Sequence, residues 1–296
     1  MKPNIAGYAD SFLINKNLNP VIIMSFFRTT LLLGLLTGIF LGAGFLIAGI
    51  SGAIIALFFA AFFNFFSYWY SDKIVLNMYG AKKLKNEEIE DIVSKLAKKA
   101  KIQKPELYSI NTSVPNAFAT GRNEKNSAIV VTKGLINSLN KEEIEGVLAH
   151  EISHIKNHDI LISTMAATIG GAISFLANMA WWSLFVGDSN RDSLVFLPLL
   201  IFAPIGATIV QLAISRTREY GADYSAGIIT KNPLGLANAL RKIESFVKTN
   251  PIRGNSATSH LFIVNPFKAD AISKLFSTHP KTEDRIRRLE ELAKKI

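Results

Sequence analysis

Two imidazoles and a carboxylate fall within five residues at His150-Glu151-Ile152-Ser153-His154, and chemistry follows most directly from this stretch. On a helix, residues four apart share a face, so His150 and His154 present their rings side by side with Glu151 next to them. A catalytic zinc site that carries its own general base requires this arrangement. Three of the five histidines, His150, His154 and His158, lie within nine residues. The competing reading is a polar helix face that holds its histidines incidentally. The rest of the chain decides between them.

A catalytic zinc needs three protein ligands and one position left for water. On a continuous helix His158 stands about 12 Å along the axis from His150, too far to share an ion with it. No glycine follows His154 to fold a later histidine back onto the site. His260 and His279 are possible ligands, but Glu219 and Asp223 are better placed. They sit four residues apart, so on a helix they share a face. One carboxylate can bind zinc while the other accepts the free ring N–H of a ligating histidine, which fixes its tautomer. The alternative for this pair is a solvated helix on which Arg216, Arg218, Glu219 and Asp223 pair with one another.

The elements that must position these residues are legible around them. Asn140 starts the helix of the histidine pair, with Glu143 as its capping-box partner. Asn86 caps a helix with apolar positions Ile89, Ile92, Val93, Leu96, Ala97 and Ala100 at the 3.6-residue period. Glu106 to Ile110 and Ala128 to Thr132 read as strands, and Val114 to Thr120 as a further extended piece. Turn residues at 121–126 join the last two in a hairpin. Leu234 to Val247 and Glu283 to Leu292 read as helices, whereas Thr249 to Thr278 reads largely as loop.

The 296 residues are 49% hydrophobic, with a mean hydropathy of +0.25, and the apolar residues are unevenly spread. No charge occurs for 43 positions between Arg28 and Asp72, for 27 from Leu161 to Gly187, or for 22 from Leu194 to Ser215. A bilayer-spanning helix needs about 20 apolar residues. The first run can span twice, turning near Gly49-Ile50-Ser51-Gly52, and the other two once each. The expectation is four transmembrane helices in two hairpins. The amino terminus lacks the pattern of a cleavable signal peptide, so the first span is expected to stay as an anchor. Cysteine is absent, which excludes disulfides and thiolate chemistry.

The net charge of +10 suits either a nucleic-acid partner or the positive-inside rule. Four spans leave only Arg191 of the 33 Lys and Arg residues on the far side, so topology accounts for the charge. No interleaved basic and aromatic motif favours nucleic acid. The chain therefore divides into 1–70 (amino-terminal segment and spans one and two), 71–158 (first catalytic part, with the zinc-site helix), 159–214 (spans three and four) and 215–296 (second catalytic part, with the third ligand). The catalytic domain and both termini are expected on the cytoplasmic side of a multi-pass cell (inner) membrane protein.

Beyond spacing, nearly the whole chain resembles the HtpX-type integral-membrane zinc metalloproteases, relatives of the CAAX prenyl proteases. The resemblance rests on the paired amino-terminal spans, Pro115-Asn116-Ala117-Phe118-Ala119, Leu148-Ala149 ahead of the histidine motif, and the two intervening spans. It continues through Ser215-Arg216, Glu219-Tyr220, Ala222-Asp223 and Ser277-Thr278-His279-Pro280. It implies a mainly α membrane protein bearing a cytoplasmic α+β, gluzincin-like metalloprotease domain. It also implies one Zn2+ held by His150, His154 and Glu219, with Glu151 as general base and Asp223 as the partner of a ligating histidine, His150. Asn116, Ala117 and Phe118 would form the edge strand that binds substrate backbone. His279 would stabilise the transition state, the alternative being a helix-start residue before Pro280. His158 and His260 have no assigned chemistry.

The implied reaction is peptide-bond hydrolysis, with Glu151 taking a proton from water and returning it to the leaving amine. Protein or peptide substrates, membrane proteins above all, and the lipid bilayer are the expected partners, and membrane-protein quality control is the expected role. Two rivals remain. A dedicated CAAX-type processing protease would need a large intramembrane chamber built from more spans. A channel or transporter with a structural metal site would place ionisable residues inside the spans.

Overall fold

The computed structural model describes residues 20–166, 216–252, 256–267 and 280–296. Its first element, α1 (Pro20–Met78), is interrupted at Ala48 and Gly49, where Gly49 adopts φ 60°, ψ −142°. Only glycine takes that conformation without a Cβ penalty, so the expected turn falls at the first residue of the Gly49–Gly52 stretch. The two arms fold back on each other. Asn64 Nδ2 donates to Thr37 Oγ1 at 2.9 Å, and the Phe40 and Phe63 rings lie 5.9 Å apart.

Among the described residues, one helix, Ala48–Met78, is long and apolar enough to cross a membrane; its mean hydropathy is 2.0 and 11% of its most apolar stretch is buried. A core helix of a soluble protein would be mostly covered, so this one has a different surrounding. The count of four spans is thus reached for one segment only. Residues 167–215, which hold nearly all of the third and fourth expected spans, lie outside the described residues.

Past α1 the chain forms β1 (Lys82–Lys83), α2 (Glu87–Ala100), β2 (Glu106–Ile110), β3 (Ala117–Asn123), β4 (Asn126–Thr132), α3 (Lys133–Ser138) and α4 (Lys141–Lys156). After the gap come α5 (Arg216–Thr230), α6 (Pro233–Thr249), a 3-10 turn (Ser256–Leu261) and α7 (Thr282–Ala293). The sheet order is β1-β2-β4-β3, so β3 is an edge strand. β2 and β4 run parallel, and β3 pairs antiparallel with β4. Asn86 and Asn140 cap α2 and α4 as their side chains predict, and the Asn140–Glu143 box is closed by two 2.9 Å bonds. The two-residue β1 and the short α3 carry no period and were not expected.

One apolar core joins the sheet to α2, α4, α5, α6 and α7, including Val93, Ile129, Leu148, Ile152, Ala226, Leu240 and Leu289. Residues from both sides of the 167–215 segment therefore share one interior. At Gly146, α4 comes so close to α6 that an added Cβ would stand 2.5 Å from the Leu236 backbone nitrogen. Gly146→Val is therefore expected to cost about 1–3 kcal/mol, because backbone rather than a flexible side chain must yield. A melting temperature in detergent within one degree of the wild type would contradict this.

α4 does not run on into the next helix. It ends at Lys156, Asn157 caps it, and His158 takes φ 58° before a new helix begins at 160. Asn and His tolerate this left-handed conformation better than most residues. The break turns Asp159 back: its N–H donates to the His154 carbonyl at 3.0 Å.

Candidate active site

α4 contributes the histidine pair from its buried face, and α5 packs against it to bring in Glu219 and Asp223. His150 Nε2 and His154 Nε2 are 3.2 Å apart. Each lies 3.6 Å from one oxygen of the Glu219 carboxylate. Three donor atoms from His150, His154 and Glu219 thus fall within 4.8 Å of one another, and these residues can hold a metal ion. Ligand atoms at about 2.05 Å from a tetrahedral zinc would sit about 3.4 Å apart, so the donor set fits with small adjustments.

The opposite ring nitrogens are held by carboxylates. His150 Nδ1 is 3.0 Å from Asp223 Oδ1, and His154 Nδ1 is 3.3 Å from Asp159 Oδ2. Both rings therefore turn Nε2 toward Glu219. The Asp159 role was invisible in the sequence because it depends on the break after α4. Arg218 Nε, 3.2 Å from Asp159 Oδ1, steadies that carboxylate. Asp159→Asn is expected to lower metal affinity about 10–100-fold, since the His154 ring loses a charged orienting partner. Competition with a zinc-chelating dye would measure this, and an unchanged affinity would remove Asp159 from the site.

A second unforeseen residue is Arg285 of α7, 1% exposed. Its Nε and Nη2 donate to the two Asp223 oxygens at 2.8 Å each, and Nη1 donates to the Ile263 carbonyl at 3.0 Å. The same Nη1 lies 3.4 Å from Glu219 Oε2. A hint was present in the sequence: Arg285 stands one turn before Leu289 on the apolar stripe of its helix, where a charge needs a buried partner.

Glu151 is also buried, and its Oε2 accepts the Ala119 N–H of β3 at 2.7 Å. Burial raises its pKa above the usual carboxylate value, although the nearby His150 and His154 oppose this. A more basic carboxylate is better matched to proton transfer near neutrality. For Asp223, burial acts to raise the pKa, but Arg285 and His150 outweigh it and hold the carboxyl below its usual value. Burial likewise disfavours the His150 imidazolium, yet Asp223 and Glu219 lift that ring to about 9. The carboxylates of Glu151, Asp159, Glu219 and Asp223 face the guanidinium groups of Arg218 and Arg285. Once a metal takes the place of the His150 proton, both imidazoles are neutral and two negative charges remain, a balance that suits a divalent cation.

Asn116 is 2% exposed, and both ends of its amide are engaged: Nδ2 donates to the Leu261 carbonyl and Oδ1 accepts the Ile263 N–H, each at 3.0 Å. Ala117 and Phe118, with Ala119, line one side of a cavity of about 40 Å3 that is also lined by Glu151, His150, His154 and Glu219. His260 closes part of it, with Nε2 3.0 Å from the Ser163 carbonyl. His158, 3.8 Å from Glu124, points elsewhere. His279 lies outside the described residues.

A histidine pair and a buried carboxylate on one helix, the carboxylate bonded to an edge strand, and a glutamate from a second helix define a metallohydrolase of the peptidase type. Residues 83–293 match the model of peptidase family M48. "Protease HtpX homolog" of Persephonella marina is 53% identical over 281 residues, covering 91% of this chain and 98% of that one. Proteins of the same description are 53% identical in Pyrococcus furiosus (90% and 95% covered) and 50% identical in Aquifex aeolicus (88% and 90% covered). The solved structure of S. mikatae Ste24p is 20% identical with a TM-score of 0.48, covering 95% of this chain and 69% of that one. The chain belongs to peptidase family M48. It is a membrane-associated metalloprotease.

Proposed function

We propose that this chain is a zinc endopeptidase that cleaves membrane or misfolded proteins at the cytoplasmic face of the cell membrane, in membrane-protein quality control. The observation that carries this reading is the meeting of both His Nε2 atoms and the Glu219 carboxylate beside a buried Glu151 of the same helix, whose carboxylate is hydrogen-bonded to an edge strand. His150, His154 and Glu219 hold the zinc, while Asp223 and Asp159 fix the two imidazoles. Zinc bound there supplies a water acidified toward a pKa of about 7 and polarises the scissile carbonyl.

The chain's own residues do the rest. Glu151, pinned by the Ala119 N–H, takes the water's proton on its carboxylate and delivers it to the leaving nitrogen. An extended substrate pairs along the β3 edge at Ala117 to Ala119 through main-chain groups other than the Ala119 N–H, which Glu151 holds, whatever its side chains, and this gives broad specificity. Asn116 acts by holding the Leu261–Ile263 segment against that strand. His279 is assigned to the oxyanion. The topology proposed is four spans in two hairpins, with 71–158 and 215–296 forming the cytoplasmic catalytic unit.

The test is metal analysis of purified protein alongside cleavage of an unfolded membrane protein with and without chelator. One zinc per chain with chelator-sensitive cleavage is expected. One zinc with no such cleavage would reduce the site to a structural one.

A further inference from the structure

The uncharged stretch of α1 ends in a band of exposed rings, Tyr68, Trp69 and Tyr70, and the first charges, Asp72 and Lys73, follow directly. Trp and Tyr concentrate at the headgroup level of a bilayer, so this band marks where the helix leaves the membrane. The far end of β3 reaches down to it. The Arg122 guanidinium lies 4.6 Å over the Trp69 ring, and its Nη1 donates to the Trp69 carbonyl at 3.4 Å. Four residues back along β3, the Phe118 ring is 5.6 Å from Tyr79 and packs in one cluster with Val75.

These contacts set two rulers side by side. From Arg122 to Phe118, four strand residues at about 3.4 Å each cover about 14 Å. From Trp69 to Tyr79, ten helical residues at about 1.5 Å each cover about 15 Å. The lengths agree, so β3 lies alongside α1 and runs antiparallel to it, with its Arg122 end at the aromatic band and its Phe118 end further from the bilayer. Ala119, which holds Glu151, is three strand residues from Arg122, about 10 Å beyond the aromatic band.

We infer that the active centre stands at a fixed height of about 10 Å above the membrane surface, and that the substrates it favours are juxtamembrane segments of membrane-anchored proteins. This deepens the function proposed above and rests on it. A chain leaving the bilayer must be extended for about three residues to bring a peptide bond to that height, since each residue spans at most about 3.3–3.6 Å. Bonds nearer the membrane cannot reach Glu151. Bonds further out reach it through a slack tether, whose effective concentration falls roughly as the −3/2 power of its length. The profile therefore has a sharp inner edge and a shallow outer decline, about eightfold for a fourfold longer tether.

The experiment uses full-length, zinc-loaded protein in liposomes with single-span reporters. Each reporter carries an unstructured tail on the catalytic side, built from repeats of one short cleavable peptide, so that every distance offers the same sequence. Mass spectrometry maps the cut bonds. The expected result is no cut within the first two residues, a maximum a few residues beyond the third, and the shallow decline thereafter. Cuts in the first two residues, or a flat distribution along the tail, would overturn the inference. The double variant Trp69→Ala/Arg122→Ala should blur the inner edge while leaving hydrolysis of the same peptide in free solution unchanged; an edge that stays sharp would show that this contact does not set the height. If the free peptide is not cut in a chelator-sensitive way, the protease reading itself fails, and the inference falls with it. If the free peptide is cut while the tail profile is flat, only the height is wrong.

Discussion

Glu151→Gln is expected to keep the fold and the metal content and to slow peptide hydrolysis by about 10²–10⁴-fold. Glutamine has nearly the same shape, and its amide oxygen can still accept the Ala119 N–H that now meets Glu151 Oε2 at 2.7 Å. The three residues proposed to hold the metal, His150, His154 and Glu219, are unchanged, so stoichiometric binding should survive. What is lost is the proton acceptor, which burial makes more basic than an ordinary carboxylate. The measurement pairs initial rates on a short peptide with metal content of the same preparation. Rates within a few-fold of the wild type would remove Glu151 from proton transfer. Loss of metal together with rate would instead mark it as part of the binding site.

Arg285→Ala is expected to be the most damaging single change for stability, at about 3–5 kcal/mol. The guanidinium is buried and meets Asp223 through two 2.8 Å bonds, with Glu219 3.4 Å away. Truncation leaves two buried carboxylates, Asp223 and Glu219, without their cation. Arg285→Lys restores the charge but not the planar fork, so it should recover only part of the loss. Melting in detergent with excess chelator separates this effect from metal binding, because no ion then contributes. An alanine variant as stable as the wild type would show that the carboxylates relax around the gap. With metal present, both variants should bind it more weakly, since Asp223 would no longer be held against His150 Nδ1.

The two expectations rest on different levels of information. Glu151 was legible because a helix places His150, Glu151 and His154 by spacing alone, and the Asn140 cap announces that helix. Glu219 and Asp223 could be paired by the same four-residue rule before any fold was known. The α2 stripe from Ile89 to Ala100 and the β2 strand emerged at the expected residues, because burial on one face imposes a period. Arg285 needed the third dimension: it lies 62 residues beyond Asp223, and no local rule joins them. Asp159 failed for a different reason. A continuous helix would carry it away from His154, and only the left-handed turn at His158 brings it back.

The amino-acid sequence alone determined the chemistry: which atoms can bind a metal, which carboxylate can move a proton, and which stretches are too apolar for water. Those properties reside in side chains and in short periods, so they are set before folding. Tertiary structure alone decided how the groups hold one another. It set which carboxylate faces which imidazole, where Arg285 is buried, and how far the edge strand stands from the aromatic band on α1. Such distances depend on the packing of elements remote in the chain. Packing is a property of the whole core, which the described residues on either side of the 167–215 segment build together.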